Sequence, residues 1–118
     1  MGTDINHVAM IGVNLPKNIF KEMDEMKYDD LLDKYEPSFY KTIDTTKFAI
    51  ITSNMGEDYS FAGYIKGYTD CEYGEDFGII HLEASEVEIS AIIDLIKVIL
   101  KIDVEREDVK PYVFTHYH

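Results

Sequence analysis

Residues 85 to 102 read SEVEISAIIDLIKVILKI, the strongest helical pattern in the chain. Ser85 and Glu88 make an S-x-x-E capping box, which places a helix start at residue 86 and predicts a helix over 86–102. Its apolar side chains (Val87, Ile89, Ala91, Ile92, Ile93, Leu95, Ile96, Val98, Ile99, Leu100 and Ile102) cover most of the circumference. Only Ser90, Asp94, Lys97 and Lys101 form a polar stripe. A helix lying on a sheet beside solvent carries a narrower apolar face. This pattern therefore predicts either a flanking helix or a homodimer through the 86–102 helix.

Upstream, residues 47 to 53 and 59 to 66 are rich in strand-forming side chains. The connection from Asn54 to Asp58 contains Gly56, as expected of a five-residue hairpin loop. A polar loop from Gly67 to Asp76 leads to a short predicted strand, Phe77 to Leu82. At the N-terminal end, Ile5, Ala9, Ile11 and Val13 alternate with Val8 and Met10, which predicts a central strand with both faces covered. Asn14 and Pro16 are read as the opening of a helix with Ile19, Phe20, Met23 and Met26 on its buried side. A second helical pattern, Tyr28, Leu31, Leu32 and Tyr35, stops at Pro37. After the long helix, Lys110 and Pro111 lead into a last strand, Tyr112 to Tyr117. The order β-α-β-β-β-α-β predicts one α+β domain over 1–118. Its mixed or antiparallel sheet carries helices packed on one face, as a ferredoxin-like variant with one extra strand.

The chain has 118 residues, 46% of them hydrophobic, with 23 acidic and 11 basic side chains and a formal net charge of −12. That length supports one core and the hydrophobic fraction excludes wholesale disorder. So negative a surface repels phosphate backbones, so direct nucleic-acid binding is not expected. The longest apolar runs, Val8 to Ile11 and Phe48 to Ile51, have four residues, against roughly 20 for a membrane span. No signal peptide pattern is visible, and Asn6 stands where a myristoylation motif beginning at Gly2 needs Ser or Thr. With Cys71 the sole cysteine, a cytoplasmic location is expected.

The charge is unevenly placed. Residues 1 to 56 hold nine acids and six bases, residues 57 to 94 ten acids and only Lys66, and residues 95 to 118 four of each. Three quarters of the net charge thus comes from a third of the chain. Acids in the first turn of a helix complement its dipole, which accounts for Glu86 and Glu88. Glu57, Asp58, Asp70, Glu72, Glu75 and Asp76 have no such role, and tyrosines (Tyr59, Tyr64, Tyr68, Tyr73) accompany them. Tyrosine offers stiff contact area and carboxylates steer a basic partner. The expectation is a non-catalytic module that docks on a basic protein, including a nucleic-acid-binding one, through Glu57, Asp58, Asp70, Glu72, Tyr73, Glu75 and Asp76. By size and charge the chain looks like small acidic phage inhibitors and nuclease immunity proteins. No family motif is matched, so no residue roles are carried over.

Other chemistries fit poorly. His116 and His118 share a strand face, with His81 and Cys71 as possible companions, but no zinc-site spacing occurs. The Asp70 to Asp76 loop departs from EF-hand spacing. Cys71, paired on paper with His81 or His7, lies among carboxylates that suppress its thiolate. His7, on the side of Ile5 and Ala9, reads as a partly buried structural residue. Phosphate-binding glycine motifs are absent. No cofactor, metal or catalytic residue is expected; the alternative readings are a homo-oligomeric structural or accessory protein built on the 86–102 helix and a metal-binding enzyme centred on the histidines.

Overall fold

A computed structural model describes residues 5–39, 41–53, 58–69 and 80–117 of the chain. It is an α+β fold of four antiparallel strands and two helices. The elements follow the order β1 (Ile5–Asn14), α1 (Glu25–Tyr35), β2 (Phe48–Thr52), β3 (Ser60–Tyr68), α2 (Glu86–Leu100) and β4 (Lys110–Tyr117), with one 3-10 turn at Arg106–Asp108. The strands lie in the order β2-β3-β1-β4, and each neighbouring pair is antiparallel. β1 is central, as its two apolar faces require, and runs parallel to β2 with β3 between them.

Two expected elements are corrected. No helix opens at Asn14, the last residue of β1. The Leu15 N–H still donates to the Ser60 carbonyl at 2.8 Å, so strand pairing carries the chain past the expected cap. Residues 17–22 form turns, Phe20 is buried, and α1 begins only after Asp24, whose side chain accepts from the Met26 N–H. Met26, expected inside, is 75% exposed. The predicted strand Phe77 to Leu82 is not seen over residues 80–82, and residues 77–79 lie outside the described residues.

The helix at Ser85 has both halves of the expected capping box and ends at Lys101, a left-handed residue at φ 61°. It lays Ile92, Ile96 and Leu100 against Ile11, Val13, Ile50 and Ala62 of the sheet, and α1 adds Tyr28 to the same cluster. Ile93, Leu95 and Ile99 are half-buried beside them. The broad apolar circumference is therefore largely used within the chain, and Val87 and Val98 are its exposed large side chains.

The opposite face is aromatic. Val8, Met10, Ile51, Phe61 and Ile65 are covered by Phe39 and Ile43 from the segment after α1, and by Tyr59, Tyr68, Tyr112 and Phe114. The sheet bends over this face. Phe61 pairs with Asn14 of β1, whereas Phe114 pairs with Val8, six positions away. A flat strand would separate them by about 20 Å. Their rings instead stack with centroids 4.4 Å apart. At the bend Gly12 and Gly63 sit directly opposite each other. A Cβ on Gly63 would lie 2.1 Å from the Ile11 carbonyl oxygen, and one on Gly12 2.3 Å from that of Ala62. Glycine is needed here because the two backbones approach too closely for any side chain. A β-bulge between the pairings of Ala9 and Met10 adds to the coiling.

Candidate functional site

The bend decides where the acidic segments emerge. Asp58 precedes β3 and Thr69 follows it, so a flat nine-residue strand would hold them roughly 30 Å apart. Bending brings Tyr59, next to Asp58, across the aromatic face to β4. Its hydroxyl lies 2.6 Å from Nδ1 of His116 and accepts the Tyr117 N–H at 3.2 Å. His116 is the cross-strand partner of Asn6, whose side-chain amide donates to the Thr69 carbonyl at 2.5 Å. The His7 N–H donates to the Thr69 hydroxyl at 2.9 Å, and the Thr69 N–H returns a bond to the His7 carbonyl at 3.0 Å. One chain of hydrogen-bonded groups therefore links the two ends of β3.

Asn6, Thr69 and His116 are all buried, His116 to 3% exposure. Burying such groups is tolerable only because each is bonded. Phe39 packs on His116 with centroids 5.5 Å apart, and Tyr59 meets it edge-on at 5.7 Å. Burial, together with the nearby Asp58 and Glu36 carboxylates, raises the Tyr59 phenol above its ordinary value. It stays protonated at neutral pH, free to donate to Nδ1 when the imidazole is neutral. The pair holds a proton inside the protein. The 220 Å³ groove bounded by residues such as Tyr35, Glu36, Asp44, Lys47 and Phe48 includes neither ring, so it does not bring a substrate to this pair.

Of the expected docking residues, Asp58 is exposed at the hairpin, with its N–H donating to the Ser53 hydroxyl at 2.8 Å. Glu57, Asp70, Glu72, Tyr73, Glu75 and Asp76 lie outside the described residues. Of the accompanying tyrosines, Tyr59, Tyr64 and Tyr68 are used internally. Tyr64 packs edge-on against Phe48, and the Tyr68 hydroxyl accepts the Ile43 N–H at 3.0 Å. Two acids at the start of α2 are neutralised. Both Arg106 terminal nitrogens bond Glu86, and Lys66 bonds Glu88; these contacts are foremost in lowering the two carboxyls below their ordinary range.

The histidines do not gather. His7 is exposed rather than partly buried, with Nδ1 3.2 Å from the Thr115 hydroxyl. It lies on the helix side of β1, where Ile5 is also exposed. His116 points to the other face, His81 is exposed on the segment before α2, and His118 and Cys71 lie outside the described residues. Among the described residues no group of three or more metal-ligating side chains occurs, and no helix is long and apolar enough to cross a membrane. Sequence reasoning missed the Tyr59–His116 pair. Its members are 57 positions apart, and only strand alternation, which puts Tyr59 with Phe61, hinted at Tyr59's side.

No family model, no curated protein and no solved structure matches this chain.

Proposed function

We propose that the chain is a non-catalytic cytoplasmic binding module of ferredoxin-like topology, whose acidic segments dock on a basic protein. The observation that carries this reading is the bonded path from Tyr59 through His116 and Asn6 to Thr69. It brings the residue after Asp58 and the residue before Asp70 to one corner of the sheet. Carboxylates leaving two points of one rigid corner form a common field, whereas the same charges at the ends of a flat strand would act separately. The reading also draws on the excess of ten acids over Lys66 in residues 57 to 94. The preferred partner is a nucleic-acid-binding protein whose phosphate-binding groove accepts Glu57, Asp58, Asp70, Glu72, Glu75 and Asp76 in place of phosphates, with Tyr73 as an aromatic anchor.

The test compares wild-type protein with the triple variant Glu72→Lys, Glu75→Lys, Asp76→Lys as bait in host lysate, followed by association kinetics with the captured protein. A basic protein retained by the wild type and lost by the variant, with an association rate that falls as salt rises, is the expected result. Equal retention by both baits removes the acidic corner from the account.

A further inference from the structure

We propose that the outer edge of β4 is a self-pairing surface, which joins two copies of this chain through an antiparallel β4–β4 ladder into one eight-stranded sheet. β4 ends the sheet order, and among the described residues no strand lies beyond it. The direction of its backbone groups follows from β1. The His7 N–H and carbonyl both bond Thr69 on the β3 side. His7 thus directs both backbone groups toward β3, and in an antiparallel ladder its partner Thr115 directs its own N–H and carbonyl outward. By alternation Pro111, Val113 and Tyr117 do the same. Two facts agree with this parity. Pro111, which has no N–H to give, sits where the ladder to β1 needs none. The Tyr117 N–H goes not to its partner Ile5 but to the Tyr59 hydroxyl.

The occupant is a second copy because the edge complements itself in one register. A two-fold axis through Phe114 sets Val113 opposite Thr115 of the second copy, in both directions, so that four backbone hydrogen bonds form. The next pair outward sets Pro111 opposite Tyr117. One of these has no N–H and the other has already given its N–H away, so the two positions unable to extend the ladder meet each other. Side chains fit the same register. Val113 and Tyr117, 60% and 57% exposed, would be brought together with Ile5 on the helix side of the joined sheet. Phe114 would face its own copy across the axis, in the close pairing where aromatic cross-strand contacts contribute most.

Charge favours the same place. Two copies of net charge −12 repel over most of their surface, yet residues 109 to 117 contain Lys110 and no carboxylate. Open edges without inward charges are the ones prone to pair, and a two-fold axis makes such pairing closed rather than fibrous. Screening must therefore strengthen the dimer. Docking on a basic partner weakens with salt, so the two proposals fail separately.

Analytical ultracentrifugation of the full chain across protein and salt concentration tests the proposal, together with hydrogen exchange at Val113 and Thr115. The expected result is a monomer–dimer equilibrium that tightens with salt, with both amides protected only at high protein concentration. Val113→Pro removes one outward donor per copy and leaves the β1 ladder intact. It should weaken the dimer by at least roughly 30-fold, the loss of two net hydrogen bonds. Val113→Lys, which leaves the backbone unchanged, should also shift the equilibrium to monomer and serves if the proline variant does not fold. A monomer at millimolar concentration in high salt overturns the proposal. So does a dimer in which a folded Val113→Pro or Val113→Lys variant pairs as tightly as the wild type.

Discussion

Where the helices cover the sheet, the buried side chains are mostly aliphatic, with Ile92, Ile96 and Leu100 of α2 set into Ile11, Val13, Ile50 and Ala62, and Phe20 and Tyr28 the buried rings among them. On the opposite face Phe39, Phe61, Tyr68, Tyr112 and Phe114 surround a hydrogen-bonded pair, Tyr59 and His116. The two sides are stabilised by different means. The helix side depends on area removed from water, which is non-directional and tolerant of small repacking. The aromatic side depends on geometry, because contacts such as Phe61–Phe114 and Tyr59–His116 join residues that a flat sheet would hold apart. The geometry of the corner at Asp58 and Thr69 therefore depends on the second face, although the first supplies most of the aliphatic core.

The aromatic face should be lost most completely by a change at the bend. Gly63→Val places side-chain carbon where the Ile11 carbonyl already stands, against backbone that no rotamer change can move. We expect a loss of about 4 kcal/mol or outright failure to fold, read by urea denaturation and near-ultraviolet circular dichroism. If the variant retains full stability and the aromatic dichroism of the wild type, the strands do not approach as closely as described and the corner is not rigid.

A smaller change tests the polar pair alone. Tyr59→Phe keeps the ring but leaves the buried Nδ1 of His116 and the Tyr117 N–H without the hydroxyl they share. The expected cost is about 1–2 kcal/mol in urea denaturation, with a changed 15N shift at the His116 imidazole. The helix-side core lies on the other face of the sheet, so its methyl resonances should stay in place. An unchanged imidazole shift would mean that the two rings meet without sharing a proton.

The same contrast explains what was legible in the sequence. The helix side was readable because its signals are local. The Ser85–Glu88 box, the run from Val87 to Ile102 and the alternation from Ile5 to Val13 each fix an element within a few residues. Tyr28, Leu31, Leu32 and Tyr35 likewise marked α1. The one misplaced helix, expected from Asn14, failed because a tertiary bond from Leu15 to Ser60 overrode a local capping signal. The aromatic side was opaque. Nothing near Tyr59 announces His116, and glycine at 12 and 63 has meaning only once β1 and β3 are paired. Acid clustering was visible as composition, but the pairing of Glu86 with Arg106 and Glu88 with Lys66 spans about 20 residues and needs the fold.

The smallest effect concerns the polar anchor on the helix side, which should behave opposite to the buried pair. Lys66 is the extra residue of the bulge, between Ile65 opposite Met10 and Gly67 opposite Ala9, and strand alternation after Tyr64 puts it on the helix side, where it bonds Glu88 at the start of α2. Lys66, ahead of the Ser85 N–H, holds the Glu88 carboxyl below its ordinary value of 4.5. A lowered carboxyl adds stability above the ordinary value and loses it as pH falls through the lowered one. Glu88→Gln keeps an oxygen for the capping box but removes the charge. Because both partners remain in contact with solvent, the expected loss at neutral pH is about 0.5 kcal/mol, reduced further by salt. Wild type and variant should converge in urea denaturation as the pH drops below 4.5. A gap that persists in acid would show that Glu88 acts through packing or capping rather than through Lys66. The contrast between a screened anchor outside and a bonded pair inside would then need to be redrawn.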